Sequence, residues 1–314
     1  MSPSLSRSPW FGLGLLGGVW GTSFLFIKVS LEGLSPLQVA LGRSLAGALT
    51  LWGVLLVRRL RLPRDLRTWG HIAALSVVGN VVPFLGFAWA GARISSGVSG
   101  VYNATTPLMT LLVALAVVPE ERATRARVGG ILLGFAGVVV VLGPWRGGDD
   151  ANQVSGQLAA LGASASYGVA FNYARRLLAD RGLAPIVLAT CQLTIATGLI
   201  AVLAPLGWQP MDLTGRVVGS MLALGVVGTG LAFIVYHGLI RDVGPTTASM
   251  VTFIIPVVAV ALGVLLLGEP LGWNLFVGGA VVIVGVAIAE GRLRRAPAAS
   301  ESDAASTDVV TAPR

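Results

Sequence analysis

Cysteine occurs once in this chain, at Cys191, and histidine only at His71 and His237. The lone cysteine lies inside an apolar run, so neither a disulfide framework nor a thiolate metal cluster can be assembled. No H-E-x-x-H, G-x-S-x-G or G-x-x-x-x-G-K-[ST] segment occurs, so the signatures of zinc hydrolases, serine hydrolases and nucleotide-driven pumps are all missing. No metal, no cofactor and no enzymatic activity are therefore expected. Charge is scarce as well. Only 11% of the 314 residues are charged, against roughly a quarter in a soluble domain.

What fills the chain instead is apolar sequence: 54% hydrophobic residues and 42 glycines. A bilayer core of about 30 Å needs about 20 apolar residues in a helix. Ten such runs are predicted, near 10–28, 36–57, 70–91, 95–117, 127–143, 156–174, 185–204, 216–239, 245–267 and 272–290. They leave no room for a soluble catalytic domain. The excess of 22 Lys+Arg over 14 Asp+Glu is explained by position rather than by nucleic acid. With both termini in the cytoplasm, sixteen basic residues flank the inner helix ends and four flank the outer ones, Lys28, Arg93, Arg146 and Arg216. That is the positive-inside bias. A segment 1–9 precedes the first span, and a polar tail from 291 to 314 is too poor in apolar residues to fold.

The segment PEERATRARVGG from Pro119 returns 149 residues later as GEPLGWNLFVGG from Gly268. In the same register Asn80 meets Thr229, Phe87 meets Tyr236, Asn103 meets Thr252, Pro107 meets Pro256 and Glu120 meets Glu269. Nearer the start of each half the offset is 147, pairing Trp20 with Tyr167, Phe24 with Phe171 and Lys28 with Arg175. Arg43 then meets Gln192. Each half holds five helices, residues 10–143 and 156–290, joined by an external linker at 144–155. Five is odd, so the second copy enters the membrane from the opposite side. That explains why the Glu120 segment keeps its arginines and the Glu269 segment has lost them. The expected fold is an all-α integral membrane protein of ten helices in two inverted five-helix repeats. Such repeats place a binding site near the midplane, where they meet.

WGTSFLFIKVSLEGLSPLQVALGRSLAGALTL (Trp20–Leu51) resembles the opening of EamA-domain proteins of the drug/metabolite transporter superfamily, and PLMTLLVALAVVPEE and PVVAVALGVLLLGEPL resemble the apolar runs that close each domain's fourth helix. The resemblance covers about residues 10–290 and departs at Tyr167 and Gln192, which stand for Trp and Arg. It implies a carrier of small organic metabolites (amino acids, nucleosides or toxic analogues) in a bacterial inner membrane, commonly exporting them. Helices one, three, four, six, eight and nine would line the cavity. A channel or a non-transporting membrane subunit is the alternative, and a membrane-embedded enzyme a more remote one.

Candidate pathway residues follow from chemistry at depth. Asn80, Asn103, Asn172, Thr229 and Thr252 are polar groups inside predicted spans, where each needs a partner, water or substrate. Trp20, Phe24, Phe84, Phe87, Tyr102, Tyr167, Phe171 and Tyr236 offer aromatic faces to a ring or a cation. Pro83, Pro107 and Pro256 each remove a helix hydrogen bond, and the repeated pair Pro107/Pro256 is the hinge candidate. Lys28, Arg43, Glu120 and Glu269 are read as structural: helix-end caps, and for Arg43 a snorkelling or helix-bonding guanidinium. His237 is a lone histidine near an interface. None of the 14 acids falls in the middle of a predicted span, so a carboxylate proton relay is not expected. The partners expected are a small-molecule substrate and the lipid bilayer, with the protein a monomer or a homodimer.

Overall fold

The computed structural model describes residues 9–118, 122–143, 151–178 and 181–291. Glu120 lies outside the described residues, as do most of the 144–155 linker and the tail after Gly291. The described chain is helical throughout: α1 (Pro9–Ser30), α2 (Pro36–Val57), α3 (Leu66–Ser76), α4 (Val82–Gly91), α5 (Ser96–Asn103), α6 (Thr106–Val117) and α7 (Arg125–Leu142) in the first repeat. The second repeat holds α8 (Ala151–Leu177), α9 (Pro185–Leu203), α10 (Gly215–Leu222), α11 (Ala232–Ala248), α12 (Val251–Leu267) and α13 (Trp273–Ala289). Helices α3 and α4 form the third span, α5 and α6 the fourth, and α10 and α11 the eighth, so the described residues make ten spans.

Local sequence explains where the helices begin. Ser35 and Gln38 form a reciprocal capping box with Pro36 in the first turn of α2. Asp65, Ser95, Thr124 and Thr214 cap α3, α5, α7 and α10 through side-chain oxygens. Gly143 and Gly268 end α7 and α12 at φ 62° and 63°, in the left-handed region that glycine adopts without strain. Seven spans are both long and apolar enough to cross a bilayer, and α12 and α13 are apolar helices of 17 residues. The remaining one, α8, is less apolar and packs against α4, α5 and α6. It begins at Ala151, five residues before the predicted start. The polar residues Asn152, Gln153 and Ser155 extend the helix without extending the hydrophobic run.

The helix contacts repeat under exchange of the two halves. Helix α1 packs on α12 as α8 packs on α6, and α1 meets the eighth span as α8 meets the third. The pairs α2·α9, α5·α12 and α7·α13 map onto themselves. The molecule is thus two inverted repeats about a pseudo-twofold axis. Glycines set the closest crossing, α7 on α13: a methyl at Gly137 would stand 2.7 Å from Val282 N and 2.8 Å from Gly278 O. On α1, Gly17 and Gly21 face Ile254 and Val258 of α12, while Gly14 and Gly18 open onto a lateral groove of about 400 Å³.

Both repeats carry a π-helical turn in the corresponding span, Val77–Val81 and Ala223–Leu231, at the positions of Asn80 and Thr229. Pro83 follows the first of these in the opening turn of α4, where its missing N–H costs least. The fourth span breaks at Ala104–Thr105, and Pro107 starts α6. Its counterpart differs. The interruption comes at Ser249–Met250, with Pro256 inside α12, and the loop predicted near 240–244 is helical as part of α11.

Candidate substrate cavity

Between the repeats lies a cavity of about 740 Å³, within the roughly 300–1,000 Å³ typical of small-molecule sites. Helices from both repeats form its wall. Of the sequence-derived pathway residues, Trp20, Phe24, Phe84, Phe87, Asn103, Tyr167, Phe171, Asn172, Tyr236 and Thr252 line it, as does Pro107. The aromatic groups are in mutual contact. Phe24 meets Phe87 edge-on at 5.4 Å, Phe87 stacks on Tyr167 at 6.2 Å, and Tyr167 on Phe171 at 6.3 Å. On the opposite wall Trp20 tilts against Tyr236 at 5.2 Å. This last pair is the repeat image of Tyr167 with Phe87, so the aromatic lining itself obeys the pseudo-twofold.

Three of the pathway candidates stand off the wall. Tyr102 is 1% exposed and donates from its hydroxyl to Gln157 Oε1 at 2.6 Å, inside the α5–α8 contact. Asn80 is 1% exposed, and its Oδ1 has no hydrogen-bond partner. Thr229 is buried behind the wall, donating to Leu224 O across the π turn at 3.0 Å and accepting from Arg43 Nε at 3.0 Å. Pro256 packs within α12, its Cα beside Gly100 of α5. His237 bonds Phe233 O at 2.7 Å and stacks on the Phe233 ring.

Helices α2 and α9 contribute one residue each to the wall, Arg43 and Gln192, and these two are repeat mates. Reading Arg43 as structural gave no hint of its facing the cavity; its pairing with a polar Gln192 was the available signal. Arg127, Arg175 and Glu290 also line the cavity at one end, where Arg175 and Glu290 are exposed. The other end is closed by polar contacts. Lys28 Nζ donates to Gly91 O and Ile94 O, both at 2.9 Å, at the end of the third span. The Glu269 carboxylate caps α5, accepting from Ser96 N at 2.8 Å, Ser96 Oγ at 2.7 Å and Gly97 N at 3.4 Å. Around them Ser35 Oγ donates to Gly207 O and Gln38 Nε2 to Gln209 O, and Arg216 pairs with Glu32 at 3.1 Å. No group of three or more potential metal ligands occurs among the described residues.

Ten spans in two inverted repeats around a central cavity are the architecture of a membrane transporter. The chain belongs to the EamA-like transporter family, whose model matches it twice, at residues 8–143 and 154–290. It is similar to an uncharacterized transporter of Archaeoglobus fulgidus, 28% identical over 280 residues covering 89% of this chain and 97% of that protein. The uncharacterized inner membrane transporter YedA of Escherichia coli is 29% identical over 270 residues, 84% of each chain. A solved crystal structure covering 92% of this chain and 100% of its own aligns with TM-score 0.63 at 24% identity, a likeness of fold.

Proposed function

We propose that the protein exports small organic metabolites across a bacterial inner membrane by alternating access, with both termini in the cytoplasm. The observation that carries this reading is the unequal closure of the cavity. Its open end bears Arg127, Arg175 and Glu290, on the side where basic residues concentrate, and its closed end bears Lys28 and Glu269. That is the inward-facing member of a pair, since inverted repeats can exchange conformations and open the other end. The segments 10–143 and 156–290 act as the two rocking units, and the break before Pro107 and the proline-interrupted ladder at Pro256 inside α12 serve as hinges. Trp20, Phe24, Phe87, Tyr167, Phe171 and Tyr236 supply faces for an apolar body, and Asn103, Asn172 and Thr252 supply neutral hydrogen bonds.

The test is counterflow in proteoliposomes. Vesicles loaded with an unlabelled member of an amino-acid, nucleoside and aromatic-acid panel should transiently concentrate the labelled compound, with saturable kinetics. Non-saturable flux without counterflow, or labelling from both sides at once of a cysteine introduced at Phe24 on the cavity wall, would replace the carrier with a channel.

A further inference from the structure

The described charged residues on the cavity wall are Arg43, Arg127, Arg175 and Glu290, three cations to one acid. Arg43 is the one away from the mouth. It sits on α2 beside the two aromatic walls, with its guanidinium carbon 4.2 Å over the Phe84 ring. Among the described residues it makes one hydrogen bond, from Nε to Thr229 Oγ1, and no ion pair. Two contacts thus hold the group in place, and neither neutralises it. A guanidinium inside a membrane protein is costly unless paired or hydrated, and such groups face cavities that ligands enter.

The second repeat shows what a merely structural residue looks like here. Gln192 takes the same register on α9 and also reaches the wall, but its repeat-related partner Asn80 keeps an unpaired Oδ1. The Arg43–Thr229 bond therefore has no counterpart, and the positive charge is a one-sided feature of the site. A planar fork of N–H donors matches the paired oxygens of a carboxylate or phosphate.

We infer that the transported molecule carries an anionic group, a carboxylate or phosphate, that pairs with Arg43 while its apolar or ring body lies against Phe24, Phe87 and Tyr167. This deepens the transport reading above and rests on it. It makes Arg43 the residue that selects organic anions over neutral and cationic compounds of the same shape.

Four probes sharing one phenyl ring separate the alternatives: hydrocinnamate, phenyl phosphate, hydrocinnamide and phenethylamine, each titrated against the purified full chain in lipid nanodiscs. At least one of the two anions should bind at least about tenfold more tightly than the amide or the amine. Which of the two binds identifies the acid. Arg43→Gln should abolish that preference by weakening the binding of the anion, and Arg43→Lys should retain it. In the unmutated protein the bound anion should also protect Arg43 from phenylglyoxal, read by mass spectrometry, so the result does not depend on the variants folding. Equal binding of the amide or amine, no binding of either anion, or a preference that survives Arg43→Gln would overturn the inference. None of these touches the transport reading, which stands or falls on counterflow.

Discussion

Asn80 and Thr229 hold the same register in two π turns, yet their side chains do opposite things. Thr229 satisfies its hydroxyl twice, toward Leu224 O and Arg43 Nε. Asn80 leaves Oδ1 buried and unpaired. Removing a satisfied buried partner costs about 1–3 kcal/mol, whereas replacing an unsatisfied group by an apolar one of similar shape is close to neutral. Thr229→Val is therefore expected to lower the thermal unfolding midpoint clearly, and Asn80→Leu to leave it unchanged or raise it. At the aqueous end of α3, Asp65 accepts from Thr68 Oγ1, Thr68 N and Arg67 N and lies 3.3 Å from Arg181 Nη1. The Thr68 hydroxyl, then the backbone N–H groups and the Arg181 charge, hold its carboxyl below the ordinary carboxylate range. A folded-state value below the unfolded one adds stability that is full above the unfolded value, about 3.9, and is lost as pH falls through the folded one. Unfolding midpoints measured from neutral pH down into that acid window should fall for the wild type. Asp65→Asn keeps the cap without the charge, and its curve should lose this part of the slope.

The helix–helix contacts put the glycines to a different test. Helices α7 and α13 approach so closely that a methyl at Gly137 would press on backbone atoms of Val282 and Gly278, which cannot turn aside. Overpacking of this kind costs about 1–3 kcal/mol. At Gly129, one position before the contact face, an added methyl would meet nothing within 4 Å. Gly137→Ala should lose stability by roughly that amount while Gly129→Ala is neutral or gains, both read from thermal unfolding in the same lipid. Most of this layer was legible in the sequence, because glycines, prolines and aromatics recurring at offsets of 147 and 149 mark positions where two copies need the same backbone. The π turns were not, since an i→i+5 pattern is set by what packs on the helix and leaves no composition trace. The extension of α8 to Ala151 escaped because its polar residues carry no hydrophobic signal. Arg43 was visible as a charge at depth, but the face it occupies depends on how α2 sits against the π turn holding Thr229. Depth comes from counting residues, whereas azimuth comes only from packing.

For the whole molecule the decisive feature is that two repeats of one plan close the cavity at only one end. Glu269 reaches from the loop after α12 to cap α5, and its charge acts on Lys28, which is itself bonded to Gly91 O and Ile94 O. This small cluster ties the ninth span to the first, third and fourth. A carboxylate at a helix N-terminus is stabilised by the backbone N–H groups and by the helix dipole, and its charge-assisted bonds are worth about 1.5–3 kcal/mol each against water. The same cluster must come apart when the cavity opens at that end. Glu269→Gln keeps the side chain's shape and weakens every bond in the cap, so it should shift the population toward the opposite opening rather than unfold the protein. With Cys191→Ser as background and Phe24→Cys as the reporter on the cavity wall, a membrane-impermeant maleimide applied to right-side-out vesicles should label slowly with Glu269 intact. Adding Glu269→Gln should raise that rate about tenfold, since about 1.4 kcal/mol moves a two-state equilibrium by that factor. Labelling from inside-out vesicles should fall only slightly, because a tenfold gain by a minor state takes little from the major one. If both rates rise together, the cap is only holding the bundle closed and the two ends do not exchange. If neither changes, the closed end is sealed by the Ser35–Gly207 and Gln38–Gln209 contacts instead.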